Sequence, residues 1–336
     1  MDILNALVTF VNFVFIPATA YGAQLALGAL GATLVYGILR FSNFAQGDTM
    51  AFGTMVTIIF TWWLQSMGIS FGPLPTALLA LPVGIVVTAI LLLLTDRFVY
   101  SFYRKQRAAP TILVIVSLGV MFVMNGITRL VIGVEEQNFA DGARFLVTAG
   151  EFKKWTGLSE GLAIKSSQAI TVITAIIVVA WLFWFLQKTR TGKSMRAFSD
   201  NEDLALLSGI NPNRVVNVTW IIVAALATIA GVLYGLDKSF KPFTYFQLLL
   251  PIFAAAVVGG LGNPLGAIAG GFVVAYSEVF VTYAWKKVLG YLLPADMAPD
   301  NLIQLLSTDY KLAVSFFILI IVLLFMPTGL FKGKSG

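Results

Sequence analysis

Long apolar runs, each near the length of one bilayer crossing, alternate along this chain with short polar interruptions. They fall at about 4–20, 21–39, 49–67, 73–95, 111–133, 169–187, 216–236, 249–284 and 311–330. A helix rising 1.5 Å per residue needs roughly 20 apolar residues to cross a hydrocarbon core of about 30 Å. The 249–284 run is too long for one crossing, and Gly259, Gly260, Gly262 and Pro264 break it. It reads as two spans, or as a re-entrant segment followed by a span. Irregular backbone at that depth persists only where protein or a water-filled cavity surrounds it. The pattern predicts an all-α polytopic membrane protein, a single domain over 1–336 with eight to ten transmembrane or re-entrant helical segments.

Composition agrees. Hydrophobic residues make up 58% of the 336 and charged residues 11%, where a soluble domain carries about a quarter charged residues. Cysteine and histidine are both absent. That removes disulfides, thiolate zinc sites, Cys or Ser/His nucleophiles and histidine relays. A metal site would need oxygen ligands, and the 16 acidic residues lie mostly in loops. No catalytic residue and no metal ligand is assigned. The net charge of +6 reads as membrane orientation rather than as a nucleic-acid footprint. Residues 6–16 and Ala18-Thr19-Ala20 resemble a signal-peptide core and cleavage site. No Lys or Arg precedes them, which favours a retained first membrane segment.

Basic residues set the orientation. The loop 96–110 holds Arg97, Arg104, Lys105 and Arg107, and the loop 188–214 holds Lys188, Arg190, Lys193, Arg196 and Arg214. If 111–133 and 169–187 each cross once, both loops share one side, and the positive-inside rule makes that side cytoplasmic. The C-terminus, with Lys332 and Lys334, then falls inside too. Lys238, Lys241, Lys286 and Lys287 on the other side make the bias moderate. The expected outer loops are 134–168, with Trp155 as an interface anchor, and 285–310.

Within 188–214 lies SDNEDLALLSG. Ser199 and Glu202 have the spacing of a capping box, and Asp200, Glu202 and Asp203 suit the positive end of a helix dipole. Gly209 is the expected stop, with Pro212 beyond it. Leu204, Leu207 and Ile210 are spaced by three, so the stripe needs a partner: a protein groove, lipid, or the chain itself. Acids in the first turn argue against an anionic lipid surface and favour a protein groove that receives an amphipathic helix.

Polar groups at membrane depth are costly and face a bundle interior or cavity. Asn43, Gln46, Asp48, Asn125, Tyr276 and Glu278 are such groups. Asn43, Gln46, Gly47, Asp48 and Glu278 are the candidates for a translocation path. For Glu278 an ion pair or helix–helix hydrogen bond is the competing reading, and for Asp48 a cap on the 49–67 helix. Gly262, Gly266 and Gly270 form small-xxx-small steps that permit close helix packing. The breaks at 43–53 and 259–271 are candidates for paired interruptions near the midplane of a repeated transporter fold.

Four stretches carry a family likeness: GATLVYGILRFSNFAQGDTMAFG, GKSMRAFSDNEDLALLSGINPNRVVNVTWIIVAALATIAGVLYG, AAAVVGGLGNPLGAIAGGFVVAYSE and FMPTGLF. In order and spacing the chain resembles the Liv-type branched-chain amino-acid ABC transporter permeases over nearly its whole length. The resemblance implies an ABC importer permease fold in a bacterial inner membrane. It implies as partners a second related permease subunit, two cytoplasmic ATPase subunits, a periplasmic solute-binding protein, membrane lipid and a small-molecule solute. ATP and Mg would be bound by the ATPases, and this chain has no phosphate loop of its own. The 199–210 helix would be the coupling helix in an ATPase cleft. Family solutes include leucine, isoleucine and valine, other amino acids, urea and short amides. Members commonly have His where Gln46 stands and Glu where Asp48 stands, so these departures bear on substrate identity. The rival reading is a self-contained secondary transporter or channel. It would couple ions through buried charges and would need no capped helix presenting leucines.

Overall fold

The computed structural model describes residues 2–139, 144–293, 303–326 and 328–331. The tail lysines Lys332 and Lys334, residues 294–302 of the 285–310 loop, 140–143 of the 134–168 loop and Pro327 of FMPTGLF lie outside them.

The runs 4–20 and 21–39 are one helix, α1 (Asp2–Leu39). No break separates them. Instead a π turn at Val11–Phe15 precedes Pro17, whose missing N–H removes one i→i−4 bond, and the widened turn absorbs the loss. At 1.5 Å per residue α1 is roughly 57 Å long, well beyond one hydrocarbon core. From Ala18 onward nearly every residue is buried, because alanines and glycines let neighbours approach the axis closely. Phe272 lies against Gly22, Ile252 against Gly28 and Gln46 against Gly31.

Around α1 stand α2 (Gln46–Ser66), α3 (Ala77–Lys105), α4 (Pro110–Ile132), α6 (Ser166–Lys188), α9 (Pro212–Lys238), α10 (Pro242–Gly259) and α11 (Pro264–Thr282). Between them lie α5 (Ala149–Thr156), α7 (Arg190–Asp200) and α8 (Glu202–Leu207). Beyond them follow α12 (Lys286–Leu292) and the shorter apolar α13 (Lys311–Phe325). Among the described residues seven helices are long and apolar enough to cross a membrane: α1, α3, α4, α6, α9, α10 and α11. With buried α2 and short α13, this is an all-α polytopic membrane protein. The loops 96–110 and 188–214 sit at one end, the basic end. Arg40 links them there, lining a cleft with Pro110 and donating to the Ser199 carbonyl.

At the far end β1 (Phe145–Val147) pairs antiparallel with β2 (Ile164–Lys165). Thr148 and Glu151 form a reciprocal capping box on α5. The 157–165 segment rests on α1, where Asn5 Oδ1 accepts from the Glu160 amide at 3.3 Å and Asn12 Oδ1 from the Ala163 amide at 2.9 Å. Trp155 is exposed.

The 249–284 run is two helices, α10 and α11, joined by the turn 260–263. Gly266 and Gly270 are packing glycines, since a methyl group on either would overlap a carbonyl oxygen, of Gly259 and Ala255 respectively. Gly262 is not one of them. Its φ of +81° places it in the left-handed region within the turn, where glycine carries no steric penalty. Gly270→Leu should therefore lower stability in detergent by about 3 kcal/mol or more through overpacking. A methyl group on Gly119 in α4 would meet nothing within 4 Å, so Gly119→Ala should raise stability by about 0.5–1 kcal/mol. Denaturation by sodium dodecyl sulfate, followed by circular dichroism, reads both.

Candidate functional site

The interruption after α1 is not a surface loop. Arg40 ends the helix with φ +57°, and the chain then climbs the flank of α4 toward the interior. Arg40, Phe41 and Ser42 lie beside Pro110, Thr111 and Val114. The Phe44 amide donates to Ser117 Oγ at 3.1 Å, and Asn125 Nδ2 donates to Asp48 Oδ1 at 2.6 Å. Asn125 stands about four turns beyond Pro110, roughly 22 Å along the helix. On the other flank Gln46 Nε2 donates to the Gly28 carbonyl at 3.4 Å, about three turns before α1 ends. The segment 40–45 is thus re-entrant, and α2 starts deep in the bundle.

Asn43, Gln46 and Asp48 are each at most 1% exposed. Asp48 is no cap: the residue preceding α2 is Ala45, without a side-chain cap, and the carboxylate faces Asn125. Gln46 Oε1 and Asp48 Oδ2 have no hydrogen-bond partner among the described residues. Gly47 is required by packing, since the Tyr245 carbonyl oxygen would lie 2.7 Å from a methyl group there.

What fixes this segment is a chain of side chains that the hydropathy pattern does not single out. Asn43 Oδ1 accepts from the Ala45 amide at 3.2 Å and from the Tyr100 hydroxyl at 3.3 Å. Tyr100 stacks on Trp220 with centroids 5.4 Å apart and packs on Phe41 at 5.3 Å. Trp220 Nε1 donates to Asp96 Oδ1 at 2.7 Å, and the Arg104 guanidinium grips both oxygens of Asp96. The charge pattern alone gives Arg104 no role beyond orientation. The available signal is an acid and an arginine two turns apart at the end of one apolar run.

Glu278 belongs to a different place. It lies on α11 roughly 21 Å from Pro264, toward the far end. Its carboxylate pairs with Lys311 at 3.3 Å and accepts from the Ser315 hydroxyl. The Lys311 ammonium sits 3.6 Å from the centroid of the Tyr21 ring. Tyr276 shares a hydrogen bond of 2.6 Å with Thr19. The five candidate path residues are therefore two groups: Asn43, Gln46, Gly47 and Asp48 together, and Glu278 apart in an ion pair tying α13 to α11 and α1. The breaks at 43–53 and 259–271 likewise have different surroundings. The second opens at the basic end, where Gly262 lies beside Gly37 near the end of α1.

The 188–214 loop folds as two helices. Ser199 is not a cap. It occupies the last turn of α7, where its hydroxyl donates to the Gly37 carbonyl at 2.8 Å and its own carbonyl accepts from Arg40 at 2.6 Å. Asn201 is the cap of α8, accepting from the Leu204 amide at 3.0 Å. Its extended backbone separates the two helices, with Asp200 closing α7 and Glu202 and Asp203 opening α8. Gly209 ends the turn with φ +79°. Ala205 is buried, whereas Leu204 and Leu207 are 60% and 85% exposed. The leucines do not pack on this chain, though Ile210 does. Behind α7 a cavity of about 290 Å³ is lined by Thr33, Gly37, Arg196, Asp200 and Asn263, among others.

At the far end Glu160 accepts from Lys287 at 2.8 Å and from the Tyr291 hydroxyl at 2.6 Å. Burial pushes its carboxyl up, but these donors outweigh it and hold it below the ordinary value. A depressed folded-state pKa gives stability that is full above the unfolded value, about 4.3, and is lost as pH falls through the folded one. The chain lacks cysteine, so spin labels at Leu158→Cys and Gly290→Cys report cleanly. Their distance distribution should be narrow at neutral pH and broaden below about pH 4. Glu160→Gln should broaden it already at pH 7.

The buried pair predicts a second outcome. Lys311→Met leaves the buried Glu278 carboxyl without its cation and should cost about 3 kcal/mol. Adding Glu278→Gln should recover most of that loss. Unfolding midpoints of the two variants in one detergent check it.

The chain matches the family described as branched-chain amino acid transport system, permease component, over residues 15–323. It is 31% identical over 319 residues to the high-affinity branched-chain amino acid transport system permease protein LivH of Escherichia coli strain K12, covering 92% of this chain and 91% of that one. It is 30% identical over 315 residues to BraD of Pseudomonas aeruginosa, a protein of the same description, covering 92% of each. A ribose import permease, RbsC of Escherichia coli, is 26% identical over 129 residues, 36% of this chain and 39% of that one. These relatives are transport permeases rather than enzymes. The chain belongs to the branched-chain amino acid permease family of ABC transporters.

Proposed function

We propose that this chain is the membrane-spanning subunit of a binding-protein-dependent importer for amino acids of the branched-chain or a related small polar class. The observation that carries the reading is α8. It is capped, acidic in its first turn, backed by buried Ala205, and projects Leu204 and Leu207 away from its own chain. Such a helix is made to seat in a protein groove, here that of a cytoplasmic ATPase subunit. ATP and Mg would belong to two such subunits, and a second related permease would complete the membrane unit. On this reading the basic end and the C-terminus are cytoplasmic, and the far end meets the solute-binding protein.

The geometry supports a route for force. Displacement of α8 moves α7, and α7 holds the end of α1 and the start of the re-entrant segment through Ser199, Gly37 and Arg40. That segment carries Gln46 and Asp48 into the bundle, where two acceptor oxygens lack donors among the described residues. A polar solute passing there would meet them. The rival secondary transporter is the weaker reading, because Glu278 already has a cation beside it.

Leu204→Asp with Leu207→Asp should abolish copurification of the ATPase subunit. The chain's own stability should change by less than about 0.5 kcal/mol, because both side chains are exposed. Retained copurification would overturn the docking role. Uptake by the chain alone in liposomes, driven by an ion gradient, would overturn the importer reading.

A further inference from the structure

A cavity of about 400 Å³ opens at the far end, where α9 terminates beside the segment after α4, the start of α6 and the approach to α3. Its lining carries both signs of charge: Glu136 and Asp237, with Arg144, Lys165 and Lys238. The Asp237 side chain is only 5% exposed, and its Oδ2 has Lys238 at 3.7 Å. Its Oδ1 is buried with no hydrogen-bond partner among the described residues. A buried carboxylate oxygen without a donor is costly, and Asp237 stands in the wall of this cavity. Glu136 is exposed and accepts from the Ser239 hydroxyl at 2.6 Å through one oxygen, whereas Asp237 is the buried carboxylate of the lining.

Arg144 spends one guanidinium nitrogen on the Gly72 carbonyl at 2.6 Å. The rest of its fork remains to bind a carboxylate, with Lys165 on the same wall. Phe139 and Leu236 supply apolar surface. An anion would meet two carboxylates and a cation three basic groups, whereas a zwitterion satisfies both. The cavity also stands over the path described above. Phe139 and Tyr245 close over Gly235 at its floor, and the Tyr245 carbonyl lies against Gly47.

We propose that this cavity is a receiving site for a zwitterionic α-amino acid, its ammonium on Asp237, its carboxylate on Arg144 and Lys165, and its apolar side chain on Phe139 and Leu236. The inference rests on the amino-acid importer reading and adds to it where the solute first contacts this subunit.

The test uses the full chain in nanodiscs and saturation-transfer NMR with three probes. L-leucine has both charges, 4-methylpentanoate lacks the ammonium, and 3-methylbutylamine lacks the carboxylate. L-leucine should bind, and each analogue should bind at least about tenfold more weakly, as expected for loss of a charged hydrogen bond. Asp237→Asn, nearly isosteric, should weaken L-leucine by a similar factor while circular dichroism shows the helical fold intact, and Glu151→Gln on α5 should leave L-leucine binding unchanged. Equal binding of all three probes, unchanged binding to Asp237→Asn, or no L-leucine signal would each overturn the site, the last meaning that the cavity holds water only. ATP-driven L-leucine uptake by the complete transporter separates the two readings. If uptake persists when the site fails, the importer reading stands; if no amino acid is taken up, both fall.

Discussion

Everything at the candidate site depends on one requirement: backbone that leaves a helix inside hydrocarbon must still have its polar groups satisfied. An unsatisfied N–H or C=O there costs several kcal/mol, since no water is at hand. The segment 40–45 meets this by enclosure. The Phe44 amide finds Ser117, the Ala45 amide finds Asn43, and the Asn43 side chain is held by Tyr100. Tyr100 is in turn clamped by Phe41 and by Trp220, which reaches Asp96 and through it Arg104. A charge-assisted grip at the basic end thus positions the polar turn around Asn43 deep in the bundle.

That arrangement ties two regions together that lie far apart in sequence. Arg40 belongs to the re-entrant segment and also donates to Ser199 at the end of α7. Close packing makes such contacts switch between discrete arrangements rather than stretch. On the proposed reading, a docked ATPase acts on α8, and the first membrane residues to feel it are those whose breaks in hydropathy the sequence displays.

The class of fold is legible because hydropathy reports burial in lipid directly, and the glycines at 266 and 270 are legible because close helix approach leaves few other choices. What is not legible is decided by tertiary contacts. Ser199 has the spacing of a cap, yet the Gly37 carbonyl competes for its hydroxyl, and Asn201 takes the cap instead. Gly262 shares the four-residue spacing of Gly266 but falls in the turn, where backbone conformation rather than packing selects glycine. The division at 20/21 fails because Pro17 widens one turn of α1 without ending the helix. Asp96 and Arg104 do not stand out in the sequence because their meaning lies in Trp220, more than a hundred residues away.

The buried charges bear on the source of energy. An ion-coupled carrier needs a membrane carboxylate whose proton or cation comes and goes. Glu278 is held by Lys311 and Ser315 on a helix that packs against α10 and α11, so releasing it would separate an ion pair in a low-dielectric interior. Asp48 is bound on one oxygen by Asn125 and carries one open acceptor, which suits passing contact with a donor group better than tight coupling. Of the two carboxylates deep in the bundle, one is held in an ion pair and the other offers a single acceptor, which is little with which to couple an ion gradient to a solute. On the proposed reading the work enters through its surface, and at the basic end the exposed leucines of α8, behind which α7 reaches α1, offer the place for it.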